Sequence, residues 1–154
     1  MITLLGEYGE GGGSIVRIAL ALSLLTRNSF EVNKIRKGRP KSGLKAQHLY
    51  CIKGAQQLCD ARVDGAEIGS EYLKFEPSEL KSKNLYLDIG TAGSITLVLQ
   101  SLLLPSLFVN RSIKIDLIGG TDGAWSPSFD YFNNILLPQL QRFAKIEAKL
   151  LKRG

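Results

Sequence analysis

The sequence predicts an α/β (α+β) fold of tandem β-α-β-α-β-β repeats, the second repeat incomplete. Three observations carry that expectation. Strand-like and helix-like stretches alternate in a fixed order along the 154 residues. Two glycine-rich turns, "EYGEGGGS" and "DIGTAGS", each lead from a strand pattern into a helix pattern. Three local matches then link the front of the chain to the back at a nearly constant offset. "GGSIVRIAL" resembles "AGSITLVLQ" with Ser14 opposite Ser94, the glycine after "NKIRK" has a counterpart in "IDLIGG", and "CDARVDGA" resembles "FAKIEAKL" with Ala61 opposite Ala144. Ordered self-similarity of this kind is the mark of a duplicated supersecondary unit.

Each element has its own reason. "ITLLGEY" is rich in strand formers and stops at a cluster of glycines. Residues 14–27, "SIVRIALALSLLTR", form an apolar helix with Ser14 as its expected N-cap; so little polar surface implies packing on more than one side. "FEVNKIR" alternates as a half-buried strand does. Residues 44–61 place Leu44, His48, Cys51, Ala55, Leu58 and Cys59 near helical spacing, and "RVDGAEI" and "YLKFEPS" follow as two short strands. The first repeat is therefore expected over residues 1–80. The second, over 84–154, comprises strand "LYLDIG", helix 94–108 interrupted at Pro105, strand "IKIDLIGG", helix 129–144 and strand "KIEAKLL", without a last strand. An unpaired sheet edge is a liability, so a homo-oligomer or a second chain is expected to cover it.

Composition narrows the class. Apolar residues make up 44% and charged residues 22%, which suits a chain that buries a core and excludes disorder as the default. The net charge of +6 and a pI near 9.4 favour an acidic partner. Cys51 and Cys59, about 12 Å apart along a helix, are too distant to bridge and read as small core residues. The longest apolar run is broken by Gln100 and Pro105 and is short for a bilayer, so a cytoplasmic protein with no membrane partner is expected.

Chemistry concentrates in two places. At the glycine turns, exposed N–H groups at a helix start favour anions, although neither turn spells a Walker loop or a dinucleotide fingerprint. Glu10 stands there either as a carboxylate stabilised by the helix dipole or as a Mg2+ ligand beside a phosphate. Arg17, one turn into an apolar helix, needs an internal carboxylate or a phosphate. The other place is the basic stretch holding Lys34, Arg36, Lys37, Arg39, Lys41 and Lys45, with His48, the chain's sole histidine, following. His48 is either a polar residue packing a helix start or a phosphate contact.

Five ordered blocks, "GEGGGSIVRIALALS", "IRKGRPKSGLKAQH", "GAEIGS", "DIGTAGSITLVLQSLLLP" and "GGTDGAWSPSFDYF", resemble the RNA 3'-terminal phosphate cyclases over nearly all of residues 5–138. The resemblance implies a fold similar to the C-terminal domain of a translation initiation factor and related to the enolpyruvyl transferases. It also implies an ATP-dependent ligase chemistry using Mg2+ (or Mn2+). A histidine forms enzyme–AMP, AMP passes to an RNA 3'-phosphate, and the 2'-hydroxyl displaces it to leave a 2',3'-cyclic phosphate. Carried over residue by residue, Glu10 matches a metal-associated position, and Glu10, Gln100 and Pro127 match nucleotide-binding positions. Arg17, Arg36 and Arg39 match positions near the RNA terminal phosphate, with Lys41, Gln47 and His48 in the same motif.

Two departures qualify the match. The family's nucleophilic histidine lies near the end of a considerably longer chain and has no counterpart here, so none of these residues is assigned a catalytic role. Where relatives carry "TDVPWAP", this chain has "TDGAWSP". The expected function is thus the N-terminal part of a cyclase, inactive alone, acting on RNA with a 3'-terminal phosphate, with a C-terminal cyclase fragment as one possible partner at the open edge. The alternatives are a non-catalytic RNA-binding or ribosome-assembly protein and an enolpyruvyl-type transferase.

Overall fold

The fold was obtained as a computed structural model that describes residues 1–9 and 11–154. Glu10 lies outside the described residues, so the metal and nucleotide roles expected of it have no structural counterpart below.

The first part of the chain supplies β1 (Ile2–Leu5), α1 (Ser14–Thr26), β2 (Phe30–Asn33), α2 (Ala46–Cys59), β3 (Arg62–Asp64) and β4 (Leu73–Glu76). They build a four-stranded sheet in the order β1-β2-β4-β3. β1 and β2 run parallel with Ile2 opposite Phe30, while β4 is antiparallel to both β2 and β3. Phe30 and Phe75 sit opposite one another on neighbouring strands and stack with centroids 5.7 Å apart, the kind of cross-strand pair that fixes register.

The second part supplies β5 (Leu85–Asp88), α3 (Ile95–Ser106) and β6 (Ile115–Ile118). β5 and β6 are parallel, extended by a bridge between Ser94 and Gly120. A helical stretch follows: α4 (Phe129–Tyr131), a π-helical turn (Phe132–Leu136) and α5 (Leu137–Leu140). Ser128 caps it by accepting from the Tyr131 N–H. The π-turn, closed by Leu137 N–H donating to the Phe132 carbonyl, immediately precedes Pro138, which has no N–H to give.

The core lies between the sheets and three mutually packed helices. Leu20, Val32, Ile52, Leu58, Phe75 and Leu102 are fully buried within it. Cys51 and Cys59 are also buried there as free thiols, as their helical spacing suggested. Burial pushes the Cys51 pKa up to about 11, so it stays an inert thiol.

Two local expectations need correction. "KIEAKLL" does not form a strand: residues 145–150 have no regular structure, and among the described residues no neighbouring backbone pairs with them. A lone extended segment has no ladder to satisfy its peptide groups, and here Lys145 and Glu147 simply pair across it in solvent. The cap of α1 is Gly13 rather than Ser14, with no side-chain bond to the helix start. The His48 ring occupies the space where any side chain at position 13 would go.

Candidate phosphate-binding surface

Parallel pairing of β1 with β2 sends two loops out of the same sheet end: the glycine turn after β1 and the basic loop after β2. They are tied together there. Gly6 N–H donates to Asn33 O at 2.7 Å, Arg36 N–H donates to Gly6 O at 3.3 Å, and Lys34 Nζ bonds Glu7 Oε1 at 2.6 Å. Gly6 is required at that crossing, since a Cβ would lie 2.7 Å from the Ile35 backbone. In parallel sheets, the carboxyl ends of the strands are where ligands bind.

The basic loop is internally braced. Arg36 has φ of 56° and donates from Nε to Gly43 O and from Nη2 to Lys41 O. Two of its donors therefore hold the loop's shape. Arg39 and Lys41 are exposed at the loop surface, and Arg39 Nη2 lies 3.9 Å from where a Cβ of Gly12 would sit. The basic loop thus overhangs the glycine turn.

Gln47 and His48, consecutive at the start of α2, reach two different helix starts. Gln47 Oε1 accepts from the Ser94 N–H at 3.4 Å, at the beginning of α3. His48 points at Gly13, the cap of α1. Its Nδ1 accepts from the Lys45 N–H at 3.0 Å, closing the first turn of α2. Its Nε2 is buried and has no hydrogen-bond partner among the described residues. Burial foremost, then the charges of Arg17, Arg36 and Lys45, hold the imidazole pKa down at about 3.

Arg17 is 8% exposed and donates from Nε to Gln100 Oε1 at 2.7 Å. No internal carboxylate pairs with it among the described residues, where its side-chain partner is the Gln100 amide. Burial lowers its pKa, and Arg36 lowers it further. Gln100 itself is exposed on α3. One turn earlier on that helix, Thr96 donates to the Pro127 carbonyl at 2.7 Å and bonds the Ser94 hydroxyl at 2.8 Å. Gln100 and the Pro127 attachment therefore share one face of α3.

Arg17, Gln100, Gln47, His48, Arg36 and Arg39 are thus linked through the starts of α1, α2 and α3, and Pro127 joins through Thr96. Ser94 and Thr96 were not singled out by sequence; the "TAGSIT" cap pattern was the available signal. Trp125, fully exposed with φ of 65°, also went unread.

This donor set suits oxyanions: helix-start amides, guanidinium groups and an amide side chain. It fits the phosphates of ATP in kind. Among the described residues no group of three or more His, Cys, Asp or Glu side chains gathers, and Glu10, the residue expected to meet a divalent metal, lies outside them.

Comparison with known proteins identifies the family. A sequence model described as RNA 3'-terminal phosphate cyclase matches residues 8–154. Proteins named RNA 3'-terminal phosphate cyclase from Archaeoglobus fulgidus and Methanococcoides burtonii are each 46% identical over the whole of this chain, which covers 47% of either relative. One from Pyrococcus furiosus is also 46% identical over the whole chain, covering 45% of that protein. The chain spans about half the length of the curated relatives it matches. With identity of this order along the entire chain and a family match over nearly all of it, the chain belongs to the RNA 3'-terminal phosphate cyclase family.

Proposed function

We propose that this chain is the N-terminal part of an ATP-dependent RNA 3'-terminal phosphate cyclase, converting an RNA 3'-phosphate to a 2',3'-cyclic phosphate. The chain grips the terminal phosphate, and the attacking imidazole comes from outside it. The observation that carries this reading is the pairing of Arg17 with Gln100 in mid-α3, beside the contacts of Gln47 and His48 with the starts of α3 and α1, beneath an overhanging basic loop. ATP would supply the activation that lets a phosphate monoester, a poor electrophile, accept the neighbouring hydroxyl. Arg17, Arg39 and Lys41 offer positive charge to the phosphate, Arg36 holds the loop that presents it, and Gln100 and Pro127 border the nucleotide.

His48 is unsuited to nucleophilic attack. One nitrogen is engaged by the Lys45 backbone and the other is buried against Gly13. That observation favours the second reading, a non-catalytic RNA-binding protein, for the chain acting alone. The enolpyruvyl-type transferase reading gains no separate support.

The division into units 1–80 and 84–154 belongs to the same proposal. It is supported by two parallel strand pairs, each flanking a helix that starts next to the "QH" of α2. β5 and β6 are both edges of the two-stranded sheet of the second unit, where a second copy or a C-terminal cyclase fragment would add. Among the described residues no helix is long and apolar enough to cross a membrane; a cytoplasmic site of action is part of the proposal.

The test is binding of an RNA oligonucleotide carrying either a 3'-phosphate or a 3'-hydroxyl, followed by fluorescence anisotropy. The phosphorylated end is expected to bind more tightly, with affinity falling as salt rises. Arg39→Ala should weaken it about tenfold, the scale of one lost charge-assisted hydrogen bond. Equal affinity for the two ends would refute the reading.

A further inference from the structure

Trp125 is the chain's sole tryptophan, and its side chain lies wholly in solvent. An indole is large and mostly apolar, so leaving it bare forgoes what the ring would gain against a partner. Its backbone is left-handed as well, with φ of 65°, a conformation that a bulky residue enters only at a cost. Neither feature serves the core.

The loop that carries the ring is fixed in place. The Ser126 N–H and hydroxyl both donate to the Gly123 carbonyl, and the Phe129 N–H donates back to the Thr121 carbonyl. Arg153 ties Asp122 to Asp130 across the ends of the loop, and the Pro127 carbonyl accepts from Thr96. The loop also rises from the phosphate-binding surface. It follows the carboxyl end of β6, where Gly120 pairs with Ser94, and Ser94 is the residue whose N–H meets Gln47.

We propose that Trp125 is a stacking platform for a nucleobase of single-stranded RNA. The inference rests on the RNA reading and extends it from the phosphate to the base. Three features select this occupant. The surface from which the loop rises carries Arg17, Arg39 and Lys41, so charge favours a polyanion. Bases at a single-stranded RNA end expose a π face, which aromatic side chains on a basic surface take up. A mononucleotide pocket encloses most of its ligand, whereas among the described residues no wall stands over this ring.

Because the indole is unique, fluorescence excited at its own band reports on it alone. The probes are a 3'-phosphorylated RNA oligonucleotide, an abasic oligomer of the same length and terminal phosphate, and ATP. The oligonucleotide is expected to quench the indole, while the abasic oligomer and ATP leave it unchanged. Trp125→Ala should weaken oligonucleotide binding at least about fivefold, the lower end for one lost base–aromatic stack. Its salt dependence should stay the same, because no phosphate contact is lost. Its urea midpoint should stay the same too, because the ring packs against nothing. Trp125→Phe should retain most of the affinity.

Quenching by ATP but not by the oligonucleotide would assign the ring to a mononucleotide and overturn the proposal. An emission shift that follows protein concentration without RNA would also overturn it, since a second copy would then cover the ring. If Trp125→Ala fails to fold, the wild-type quenching by the oligonucleotide against the abasic oligomer decides. Unchanged affinity in Trp125→Ala, with the phosphorylated end still preferred, would sink this inference and leave the RNA reading standing. Base-dependent quenching with equal affinity for 3'-phosphate and 3'-hydroxyl ends would do the reverse.

Discussion

His48 shows how one residue type can carry opposite roles. A basic loop followed by histidine invites a catalytic reading, yet both ring nitrogens are removed from substrate by backbone. Its titration has a consequence for stability. The folded pKa is about 3, depressed by burial and by nearby cations, whereas an unfolded histidine titrates near 6.5. The neutral form is favoured by folding, so the contribution is complete above pH 6.5 and is lost as pH falls toward 3. At pH 5 this one residue should already cost about 2 kcal/mol, because the unfolded chain takes up a proton that the folded chain refuses. Urea unfolding at pH 7 and pH 5 is expected to show that loss in the wild type and a smaller one in His48→Asn. Equal losses in both would mean the ring is accessible and ordinary. Arg17 is legible only in part for a related reason: sequence says that a buried cation needs a partner, but cannot say that the partner is the amide of Gln100 on another helix.

At the level of elements, the junction of α1 with α2 shows where local signals lose to tertiary contact. Ser14 is the better capping residue by type, and Gly13 is the cap because the imidazole fills the space beside it. That coupling is measurable. Gly13→Ala should destabilise the fold by about 1–3 kcal/mol, the usual cost of forcing atoms into a filled site. In a His48→Ala background the same change should cost much less, because the ring that it strikes is gone, and the cycle would return a coupling energy above about 1 kcal/mol. Additive effects, seen by thermal or urea unfolding, would show that the ring and the glycine do not touch. The strands and helices of residues 2–76 were legible because alternation, glycine turns and apolar stripes agreed there. Residues 145–151 read as a strand by the same alternation, but strand structure needs a neighbour, and sequence pattern cannot show one. The π-turn before Pro138 was likewise beyond a reading that treats residues 129–144 as one regular helix.

Across the whole molecule, the arrangement that matters is convergence. Two parallel strand pairs each send a glycine turn toward α2, and Gln47 and His48 receive them, one turn apiece. Neighbours in sequence thereby connect helix starts that lie 81 positions apart, at Gly13 and Ser94. The basic loop adds charge on the outer side, giving the +6 chain a concentrated face for a polyanion. The division of labour proposed for this chain does not use His48 as the nucleophile, because its Nδ1 is held by the Lys45 N–H and its Nε2 lies against Gly13. Incubation with α-labelled ATP and a divalent metal, followed by denaturation, is therefore expected to leave no label on the chain, even under conditions where a 3'-phosphorylated oligonucleotide binds. Label that survives denaturation and disappears in His48→Asn would place the nucleophile at His48 and require the α1 start to open far enough for in-line attack. Label that survives in His48→Asn would put the covalent chemistry on a side chain other than histidine, and the division of labour proposed for this chain would fail.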